Sequence, residues 1–469
     1  MLVVDEAFDM WTKGKNPFDY SLAFPEWWER DIEAMVAKDI NRPSVVMYSI
    51  GNEVLDAGNA LGARWGRRLA EKVRALDPTR FVTNGISGFV ATISDILPEF
   101  RAQAGELSTQ VGVNDLMSQL GDLMDQISLS DVVTDKTEES HSVVDVVGHN
   151  YAHERYLADA KRFPDRVLMG TETLAKKIDE IWPLVTENAH VIGDFTWTGW
   201  DYLGEAGLGL VAYADADADS PADPQAFPTL LAWAGDIDIT GHRRPASYYR
   251  EIVFGLRTAP YIAVHRPEAR SGKATAHSWA WTDTIGSWTW NSAPDTPLTV
   301  DVYSPSPEIE LILNGRSLGR RRTERHIAGF EVPYEAGTLE AVAIDNGTEV
   351  GRHALVSAGP VRALRVAADR PEIRSDDSDL SYVTVELVDP DGVVSTLGDR
   401  PAIVTVAGAG VLQGLGSARP VTDESYTAET HTTFEGRALA VIRPTGTGPI
   451  EITVTADGLA PVTVTVTAV

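Results

Sequence analysis

The chain has 469 residues, 43% hydrophobic and 23% charged, which predicts a soluble globular protein of about two to four domains. Its net charge of −28 argues against nucleic acid or an anionic membrane as a partner, because both need a basic surface. The absence of cysteine excludes disulfides, thiolate catalysis and zinc sites built on cysteine. We find no apolar run long enough to span a membrane and no signal peptide, so the compartment stays open between cytoplasm and secretion.

In the first half of the chain, short apolar and β-branched segments alternate with segments of helical periodicity. In the helix predicted at 25–40, for example, Trp28 and Ile32 fall on one face. The predicted strands are 2–4, 45–50, 81–85, 143–148, 166–170 and 191–202, and the predicted helices are 25–40, 61–76 and 245–256. The segment between 86 and 142 is predicted as a helical excursion. Strands that alternate with helices indicate a parallel α/β fold, a (β/α)8-type TIM barrel.

Two of the predicted strands end on a glutamate. Residues 45–50 lead through a Gly-Asn pair to Glu53, and residues 166–170 lead to Glu172. In α/β barrels the carboxyl ends of the strands carry the chemistry. Glu53 alone is equally consistent with a solvated strand end, but a second such glutamate favours a catalytic pair. Glycoside hydrolysis needs two carboxyl groups, because one donates a proton to the leaving oxygen while the other is ionised. The sequence does not give their separation.

Short polar and aromatic side chains cluster at the same predicted strand ends. They suit a sugar, because amides and carboxylates hydrogen-bond to hydroxyls and aromatic rings pack on C–H faces. The candidates for substrate binding are Asp5, Asn52, His149, Asn150, Tyr151, Trp200 and Asp201. Glu6 is as consistent with a buried ion pair as with a functional residue. Trp197 is as consistent with a side chain that fills the barrel top as with one that contacts the substrate. We interpret Glu205 as a loop residue.

Other classes of chemistry find little support in the sequence. A G-x-S-x-G string at 315–319 follows a hairpin signal and precedes no helical pattern, so we interpret it as chance. No glycine-rich nucleotide-binding loop is found. His149 and His153 lie four residues apart but follow a predicted strand, which argues against a metal clamp. The sequence therefore predicts neither a metal site nor a cofactor.

In the second half of the chain, short β-rich segments and turn signals replace the helical pattern. Asn314-Gly315 and Asn346-Gly347 are hairpin signals. We predict two immunoglobulin-like β-sandwich domains, at 265–357 and 358–469, after a barrel domain at 1–260. Four tryptophans at alternating positions are interpreted as a carbohydrate-binding face or, about twice as readily, as core: Trp279, Trp281, Trp288 and Trp290.

Eight segments are specific as an ordered set, although none is specific alone. They are Asp5–Trp11, Trp28–Asp31, Asn41–Val45, Gly51–Glu53, Asp145–Tyr151, Gly170–Glu172, Trp197–Glu205 and Glu310–Gly319. This set resembles glycoside hydrolase family 2, and its β-galactosidase branch most closely. The resemblance covers essentially the whole chain, and its last segment looks like the β-sandwich that follows the barrel in that family.

The resemblance implies a retaining double displacement. By the family's motifs, Glu53 would be the general acid/base and Glu172 the nucleophile. Asn52 would bond to the sugar 2-hydroxyl, and Tyr151 would lie near the nucleophile.

The expected function is therefore an exo-acting glycosidase that hydrolyses terminal β-D-galactosides, with Trp200 and Asp201 lining the sugar pocket. Another family 2 β-glycosidase, such as a β-glucuronidase, is one alternative. A truncated, inactive protein that binds glycans is the other.

The start of the chain departs from the family pattern. Members carry a jelly-roll domain and an immunoglobulin-like domain before the barrel, and two barrel strands before the one predicted here at 2–4. An eight-unit barrel would need roughly 60 more residues upstream than these six predicted strands supply. We therefore expect a C-terminal portion, a chain read from a wrong start, or half of a split enzyme. A carbohydrate is the expected partner, and a homo-oligomer or a complementing N-terminal segment is left open.

Overall fold

The computed structural model describes residues 1–95, 122–213, 225–267, 274–376 and 378–469. The chain forms two compact units, Met1–Trp197 and Thr198–Val469. Within the described ranges, no helix combines the length and the apolar character needed to cross a membrane.

The first unit is built on a six-stranded parallel sheet whose strands lie side by side in chain order. The strands are β1 (Val3–Glu6), β2 (Val45–Asn52), β3 (Phe81–Ile86), β4 (Val147–Asn150), β5 (Leu168–Leu174) and β6 (Val191–Trp197). The helices are α1 (Phe24–Asp39), α2 (Ala60–Leu76), α3 (Asp122–Ser128), α4 (Asp131–His141), α5 (Arg155–Arg162) and α6 (Ile178–Glu187), with 3-10 turns at Tyr20–Leu22, Leu55–Gly58 and Ala175–Lys177. Helical segments separate successive strands, which is the arrangement of a β/α barrel sheet. This confirms the predicted fold class for this part of the chain.

The first two helices each have an apolar face, and α2 also has a side-chain cap at its start. The Asn59 side chain accepts hydrogen bonds from the amides of Leu61 and Gly62 at 3.0 and 3.2 Å, so it caps α2. On α1, Trp28 and Ile32 are buried in the cluster that joins the helices to the sheet. Burying one such side chain contributes about 1.5–3 kcal/mol, so this face holds α1 on the sheet.

Alternate residues of β2 point to opposite faces of the sheet. Tyr48 and Ile50 are fully buried in the cluster that includes the helix residues. Met47 belongs to a second cluster with Met169, and this cluster contains no helix residue. The sheet therefore has a helix-covered face and an opposite face. Because successive strand residues alternate between the two faces, neighbouring residues at a strand end differ in whether they face the helices or the site described below.

The prediction of a strand over 143–148 is wrong for its first part. Residues 143–146 form a bend, in which the Asp145 carboxylate accepts a hydrogen bond from the Val82 amide at 2.9 Å. This side-chain bond replaces the ladder, so strand pairing with β5 begins only at Val147.

Two other predictions are confirmed in part. The helical excursion between 86 and 142 is confirmed at 88–95 and in α3 and α4, and residues 96–121 lie outside the described residues. The last predicted strand ends at Trp197 rather than at residue 202. Its continuation bonds elsewhere, since the Thr198 carbonyl accepts from the Asp236 amide at 3.1 Å.

The second unit contains helix α7 (Pro245–Val253) and a series of mainly antiparallel strands. The strands are β7 (Val211–Tyr213), β8 (Tyr261–His265), β9 (Ala274–Ala276), β10 (Thr284–Ile285), β11 (Pro297–Tyr303), β12 (Glu308–Leu313), β13 (Arg316–Arg322), β14 (Ile327–Pro333), β15 (Thr338–Asp345), β16 (Thr348–Val356), β17 (Ala363–Ala368), β18 (Glu372–Ile373), β19 (Ser381–Val388), β20 (Pro401–Gly408), β21 (Gly410–Gly416), β22 (Thr430–Thr432), β23 (Arg437–Pro444), β24 (Gly448–Ala456) and β25 (Val462–Ala468).

β7 and β9 pair with each other, and the other strands form two sandwiches, each with its own apolar core. Sheets β10-β8-β11-β14 and β13-β12-β15-β16 enclose the first core, and sheets β17-β19-β23-β21 and β18-β25-β24-β20-β22 enclose the second. Both predicted hairpin turns are confirmed. Asn314 and Gly315 have φ of 49° and 78°, and Asn346 and Gly347 have 48° and 78°, as a type I′ turn requires.

The tryptophans of the first sandwich are mostly core. Trp288 is fully buried, and Trp279 and Trp290 are nearly so, which confirms the core interpretation for these three. Trp281 is half-buried and donates from Nε1 to the Tyr303 hydroxyl at 3.1 Å. The G-x-S-x-G string lies on and beside the exposed strand β13. A nucleophile elbow requires a turn from a strand into a helix, and β13 is not followed by a helix.

Candidate active site

Glu53 lies directly beyond the carboxyl end of β2. Its backbone adopts a left-handed φ of 49°, and its amide donates to the Gly85 carbonyl of β3 at 2.7 Å. The preceding residue, Asn52, donates its amide to the Phe8 carbonyl at 2.8 Å. The chain therefore turns sharply where the glutamate is presented, and backbone bonds on both sides fix the turn.

Glu172 lies within β5, opposite Asn150 of β4 in the ladder. The Tyr151 hydroxyl donates to Glu172 Oε2 at 2.7 Å, and the Tyr151 amide donates to the Glu172 carbonyl at 2.8 Å. Tyr151 also has a left-handed φ, of 53°. A non-glycine residue held there is uncommon, and it aims the ring at the carboxylate.

A chain of side-chain hydrogen bonds links the end of β2, next to Glu53, to the part of β5 that carries Glu172. Asn150 Nδ2 donates to Asn52 Oδ1 at 2.9 Å, and Thr171 Oγ1 donates to Asn150 Oδ1 at 2.5 Å. Between them lies Gly85 of β3, where a Cβ atom would be 3.1 Å from Asn150 Oδ1. The structure thus brings Asn52, which is the residue before Glu53, together with Asn150, Tyr151 and Glu172.

The sequence reasoning missed two residues that hold Asn52. Lys15 Nζ is 2.6 Å from Asp9 Oδ1 and donates to the Asn52 carbonyl at 3.1 Å. The Asn52 Nδ2 atom lies 3.3 Å from the same Asp9 oxygen. Asp9 lies in Asp5–Trp11, the first of the eight segments on which the family resemblance rests, and this position could have identified it. No sequence pattern singles out Lys15.

The structure does not bring His149 to the two glutamates. Its ring is buried on the helix-covered face, with Nε2 3.2 Å from Asp159 Oδ2. Burial lowers the pKa of His149, so the ring is neutral near pH 7. Burial opposes ionisation of Asp159, but the hydrogen bond with His149 and the charge of Arg155 hold its pKa well below the usual range. The role of His149 in substrate binding stays a prediction that no contact supports.

Asp5 also has its partners away from the glutamates. Its Oδ2 accepts from Lys38 Nζ of α1 at 2.8 Å. Burial, with a hydrogen bond shared with Asp39, raises the pKa of Asp5. The neighbouring Glu6 lies on the opposite face and accepts from the Ser49 hydroxyl at 2.5 Å.

Trp200 and Asp201 belong to the second unit. Trp200 is 57% exposed and forms a parallel bridge with Ile237. Asp201 is buried, and its Oδ1 accepts from the amides of Ala234 and Gly235 at 3.1 and 3.3 Å. Burial raises the pKa of Asp201 in spite of the charge of Arg244. The geometry therefore shows Asp201 as a residue that holds the 234–235 backbone.

The described part of the chain was searched for groups of side chains that could hold a metal ion. Nowhere in it do three or more His, Asp or Glu side chains come together as metal ligands would. The observed grouping of the Glu172 carboxylate with amide, hydroxyl and phenol neighbours suits hydroxyl recognition and carboxyl-mediated chemistry, and Glu53 follows Asn52 of this group in the chain.

Three family models match successive parts of the chain. The model "Glycosyl hydrolases family 2, TIM barrel domain" matches residues 11–154. A domain of unknown function (DUF4982) matches residues 295–351, and "Glycoside hydrolase family 2 C-terminal domain 5" matches residues 364–465.

Curated relatives and solved structures are similar to the chain over nearly its whole length. The chain is 27% identical to Beta-galactosidase BoGH2A of Bacteroides ovatus, over 98% of the chain and 53% of that protein. It is 25% identical to a putative beta-glucuronidase of Formosa agariphila, over 87% of the chain and 37% of that protein. A glycosyl hydrolase family 2 member from Bacteroides cellulosilyticus is 35% identical with a TM-score of 0.82, and covers 100% of this chain and 55% of its own. A second member from that organism is 32% identical with a TM-score of 0.76, over 99% and 53%.

The chain thus spans about half the length of the relatives that it matches. Family 2 models match both its barrel part and its last sandwich, and family 2 structures match it from end to end. The chain belongs to glycoside hydrolase family 2.

Proposed function

We propose that the chain carries the catalytic pair of a retaining exo-β-glycosidase that hydrolyses terminal β-D-galactosides. In this proposal Glu172 is the nucleophile and Glu53 is the general acid/base. The observation that supports it is the hydrogen-bonded link between the end of β2 and the segment of β5 that carries Glu172. Asn52, next to Glu53, accepts from Asn150, and Asn150 faces Glu172 across the ladder. A link of this kind holds two groups on different strands at a fixed spacing.

The reaction proceeds in two displacements. In the first, a Glu172 oxygen attacks the anomeric carbon while Glu53 gives its proton to the leaving oxygen, so the glycosidic bond breaks and the aglycone departs as an alcohol. The sugar is then esterified to Glu172. In the second, ionised Glu53 takes a proton from a water that attacks the same carbon, and the ester bond breaks. Two inversions retain the β configuration.

Tyr151 and Asn52 have supporting roles in this proposal. The Tyr151 hydroxyl, 2.7 Å from Glu172 Oε2, favours the ionised carboxylate and fixes its direction. Asn52 is assigned to the sugar 2-hydroxyl. Asn150 acts through Asn52 and is a positioning residue.

The choice of galactose is supported by the β-galactosidase among the curated relatives. The putative beta-glucuronidase among them favours a β-glucuronide as the second candidate. A panel of aryl β-glycosides separates the two, because the preferred glycoside has the highest kcat/KM.

The proposal is tested by replacing Glu172. Glu172→Gln is expected to abolish hydrolysis of an aryl β-galactoside, and azide is expected to rescue Glu172→Gly with an inverted product. Glu187→Gln, at the exposed end of α6, is the matched control and should keep full activity. Full activity of Glu172→Gln would overturn the assignment.

The inactive alternative has its own test, which measures sugar binding. If the unmodified chain binds sugar without hydrolysis, and Glu53→Gln leaves that binding unchanged, the inactive alternative is correct.

A further inference from the structure

Two adjacent cavities in the second unit lie outside the residues assigned to the reaction. Their volumes are about 200 and about 260 Å³. The residues that line both are Trp233, Arg244, Arg266, Thr282 and Asp283, and we call this set the shared wall. The wall combines an aromatic ring, cationic groups, a hydroxyl and a carboxylate. These are the group types that proteins use to bind sugars.

The unit holds Trp233 of the shared wall in a strained conformation. Its φ is 62°, in the left-handed region that a bulky side chain rarely adopts. Asp201 fixes the backbone from one side, by accepting from the amides of Ala234 and Gly235. Arg244 fixes it from the other, because its Nη1 donates to the carbonyls of Trp233 and Gly235, both at 2.9 Å. Strain that is held from two sides points to a functional role.

Aromatic rings surround the cavity of about 260 Å³. The Arg244 Cζ atom lies 4.2 Å from the centre of the Trp233 ring, and the Phe434 ring meets Trp233 edge-on at 5.8 Å. Trp281 lines the same cavity and is only half-buried. These rings offer apolar faces for the C–H groups of a sugar.

The charges in the cavities leave Arg244 without a carboxylate. The other lining arginines each have one: Arg243 with Glu251 at 3.1 Å, Arg266 with Asp283 at 2.9 Å and Arg437 with Glu386 at 3.5 Å. Across the described ranges, no carboxylate oxygen lies within 4 Å of the Arg244 nitrogens, and the hydrogen bonds of its Nη1 go to backbone carbonyls. The carboxylates of Asp201, Asp238, Glu435 and Asp236 act on this guanidinium from greater distances, so direct contact with an anion is still open to it.

The open edge of Arg244 has the geometry that a carboxylate needs. Because Nη1 is bonded to the two carbonyls, Nε and Nη2 remain, and these two form the side-on edge that binds a carboxylate with two parallel hydrogen bonds. Burial lowers the pKa of Arg244, as expected for a guanidinium that has lost water without gaining a carboxylate in contact. The net charge of the chain is −28, so attraction of an anion here is a local effect of this site.

We propose that these cavities bind one saccharide residue that carries a carboxylate, that is, a uronate. The uronate carboxylate lies on the Nε–Nη2 edge of Arg244, and the C–H face of the ring packs between Trp233 and Trp281. Thr282 and Asp283 hydrogen-bond to its hydroxyls. Binding at this site is independent of the proposed hydrolysis, because it involves neither Glu53 nor Glu172.

The proposal is tested by calorimetric titration of the full chain with glucuronate and galacturonate. Glucose, galactose and acetate are the comparison ligands. We expect at least one uronate to bind roughly tenfold or more tightly than each of these three, a difference of about 1.4 kcal/mol. Equal binding of the neutral sugars would overturn the role of Arg244. Equal binding of acetate would show that the site binds an anion without recognising a sugar, and this would overturn the assignment to a uronate. Absence of uronate binding would overturn the proposal altogether.

Substitutions locate the binding within the cavities. Arg244→Lys keeps the charge but loses the planar edge, so uronate binding should weaken roughly tenfold. Because Arg244 also holds backbone carbonyls, the thermal midpoint is measured alongside. Trp281→Leu removes an aromatic face without touching that clamp and should also weaken binding. The control is Arg257→Lys, since Arg257 lines neither cavity. Unchanged uronate binding in Trp281→Leu and in a folded Arg244→Lys would contradict the proposal.

Discussion

Tyr151 and Glu172 share the hydrogen bond on which the proposed nucleophile depends most. The phenol donates to Oε2 at 2.7 Å, and the Tyr151 backbone is held in a left-handed conformation beside it. A bond to an ionised group contributes more than a bond between neutral groups, because the charge strengthens it.

We predict that Tyr151→Phe lowers kcat by roughly 10- to 100-fold, since a hydrogen bond to a charged group is worth about 1.5–3 kcal/mol. Steady-state kinetics with an aryl β-galactoside is the measurement, and KM should change less than kcat. Tyr382→Phe, at an exposed position of β19, should have no effect. A Tyr151→Phe enzyme with unchanged kcat would remove Tyr151 from the site.

Lys15 and Asp9 are predicted to position Asn52. Lys15→Met removes the donor to the Asn52 carbonyl and the partner of Asp9, so kcat/KM should fall roughly 5- to 30-fold, or about 1–2 kcal/mol. The loss should be smaller with a 2-deoxy substrate, because that substrate makes no bond through its 2-position. Lys13→Met is the matched control, as the Lys13 side chain is exposed. Equal losses with both substrates would argue against action through Asn52.

The residues of the site differ in how far the sequence could identify them. Glu53 follows an apolar strand, so its position at a strand end could be predicted. Glu172 was expected just after a strand at 166–170, whereas it lies inside β5, which continues to Leu174. His149 and Asn150 are adjacent, yet one faces the helices and the other joins the glutamate network, because successive strand residues point to opposite faces. Deciding between them requires the strand register, and irregular pairing occurs between His149 and Asn150. The sequence does not reveal such an irregularity.

At the scale of elements, α4, β4 and α5 are joined by a buried polar cluster. His141 of α4 and His149 of β4 meet edge to face at 5.2 Å, and His149 bonds to Asp159 of α5. Arg155 and Arg166 also bond to Asp159, at 2.6 and 3.3 Å. Burial lowers the pKa of both histidines, so the cluster holds two neutral rings beside one ionised carboxylate.

This cluster makes a contribution to stability that decreases as the pH falls below about 6.5, because the unfolded chain then binds protons at His141 and His149 that the folded chain does not. Burial raises the pKa of Glu6 and Glu154 to about 7, and these two groups act in the opposite direction. The histidine contribution is therefore the difference in pH dependence between the unmodified protein and a His141 variant. Each ring contributes up to about 1.4 kcal/mol per pH unit. Denaturant unfolding between pH 7.5 and 5.5 measures the slope, and His141→Leu should reduce it. An equal slope in the variant would show that His141 is not part of the effect.

The core interpretation of the sandwich tryptophans leads to a separate prediction. Trp288 is fully buried and donates from Nε1 to the Glu335 carbonyl at 2.9 Å. Trp288→Ala should therefore destabilise the protein by about 3–5 kcal/mol. Trp27→Ala, at a position that is 40% exposed, should cost far less. Thermal unfolding compares the two. A stable Trp288→Ala variant with reduced sugar binding would instead favour the carbohydrate-face interpretation.

Element positions were largely predictable, whereas their ends were not. Helices α1 and α2 and the Asn-Gly hairpins were correct because periodicity and turn chemistry are local properties. The strand predicted at 143–148 began too early, because Asp145 bonds to the backbone of a neighbouring strand. Contacts between distant segments of this kind are not visible in a single sequence.

At the scale of the whole molecule, the order of the strand-end motifs carried more information than any one of them. Six parallel strands in chain order place their carboxyl ends at one edge of the sheet, and this is why motifs far apart in sequence meet in space. The sheet order was implied by the alternation of strands and helices. The cavities of the second unit were not predicted, since residues of several segments form them.

The assignment of Glu172 as nucleophile is the central claim, and covalent trapping tests it most directly. A 2-deoxy-2-fluoro-β-galactoside with a good leaving group slows both steps but lets the first occur, so the sugar accumulates on the nucleophile. Peptide mapping by mass spectrometry should find one fluorogalactosyl group, on Glu172, and none in Glu172→Gln. A label on Glu53 or on any other residue, with Glu172 unmodified, would contradict the assignment.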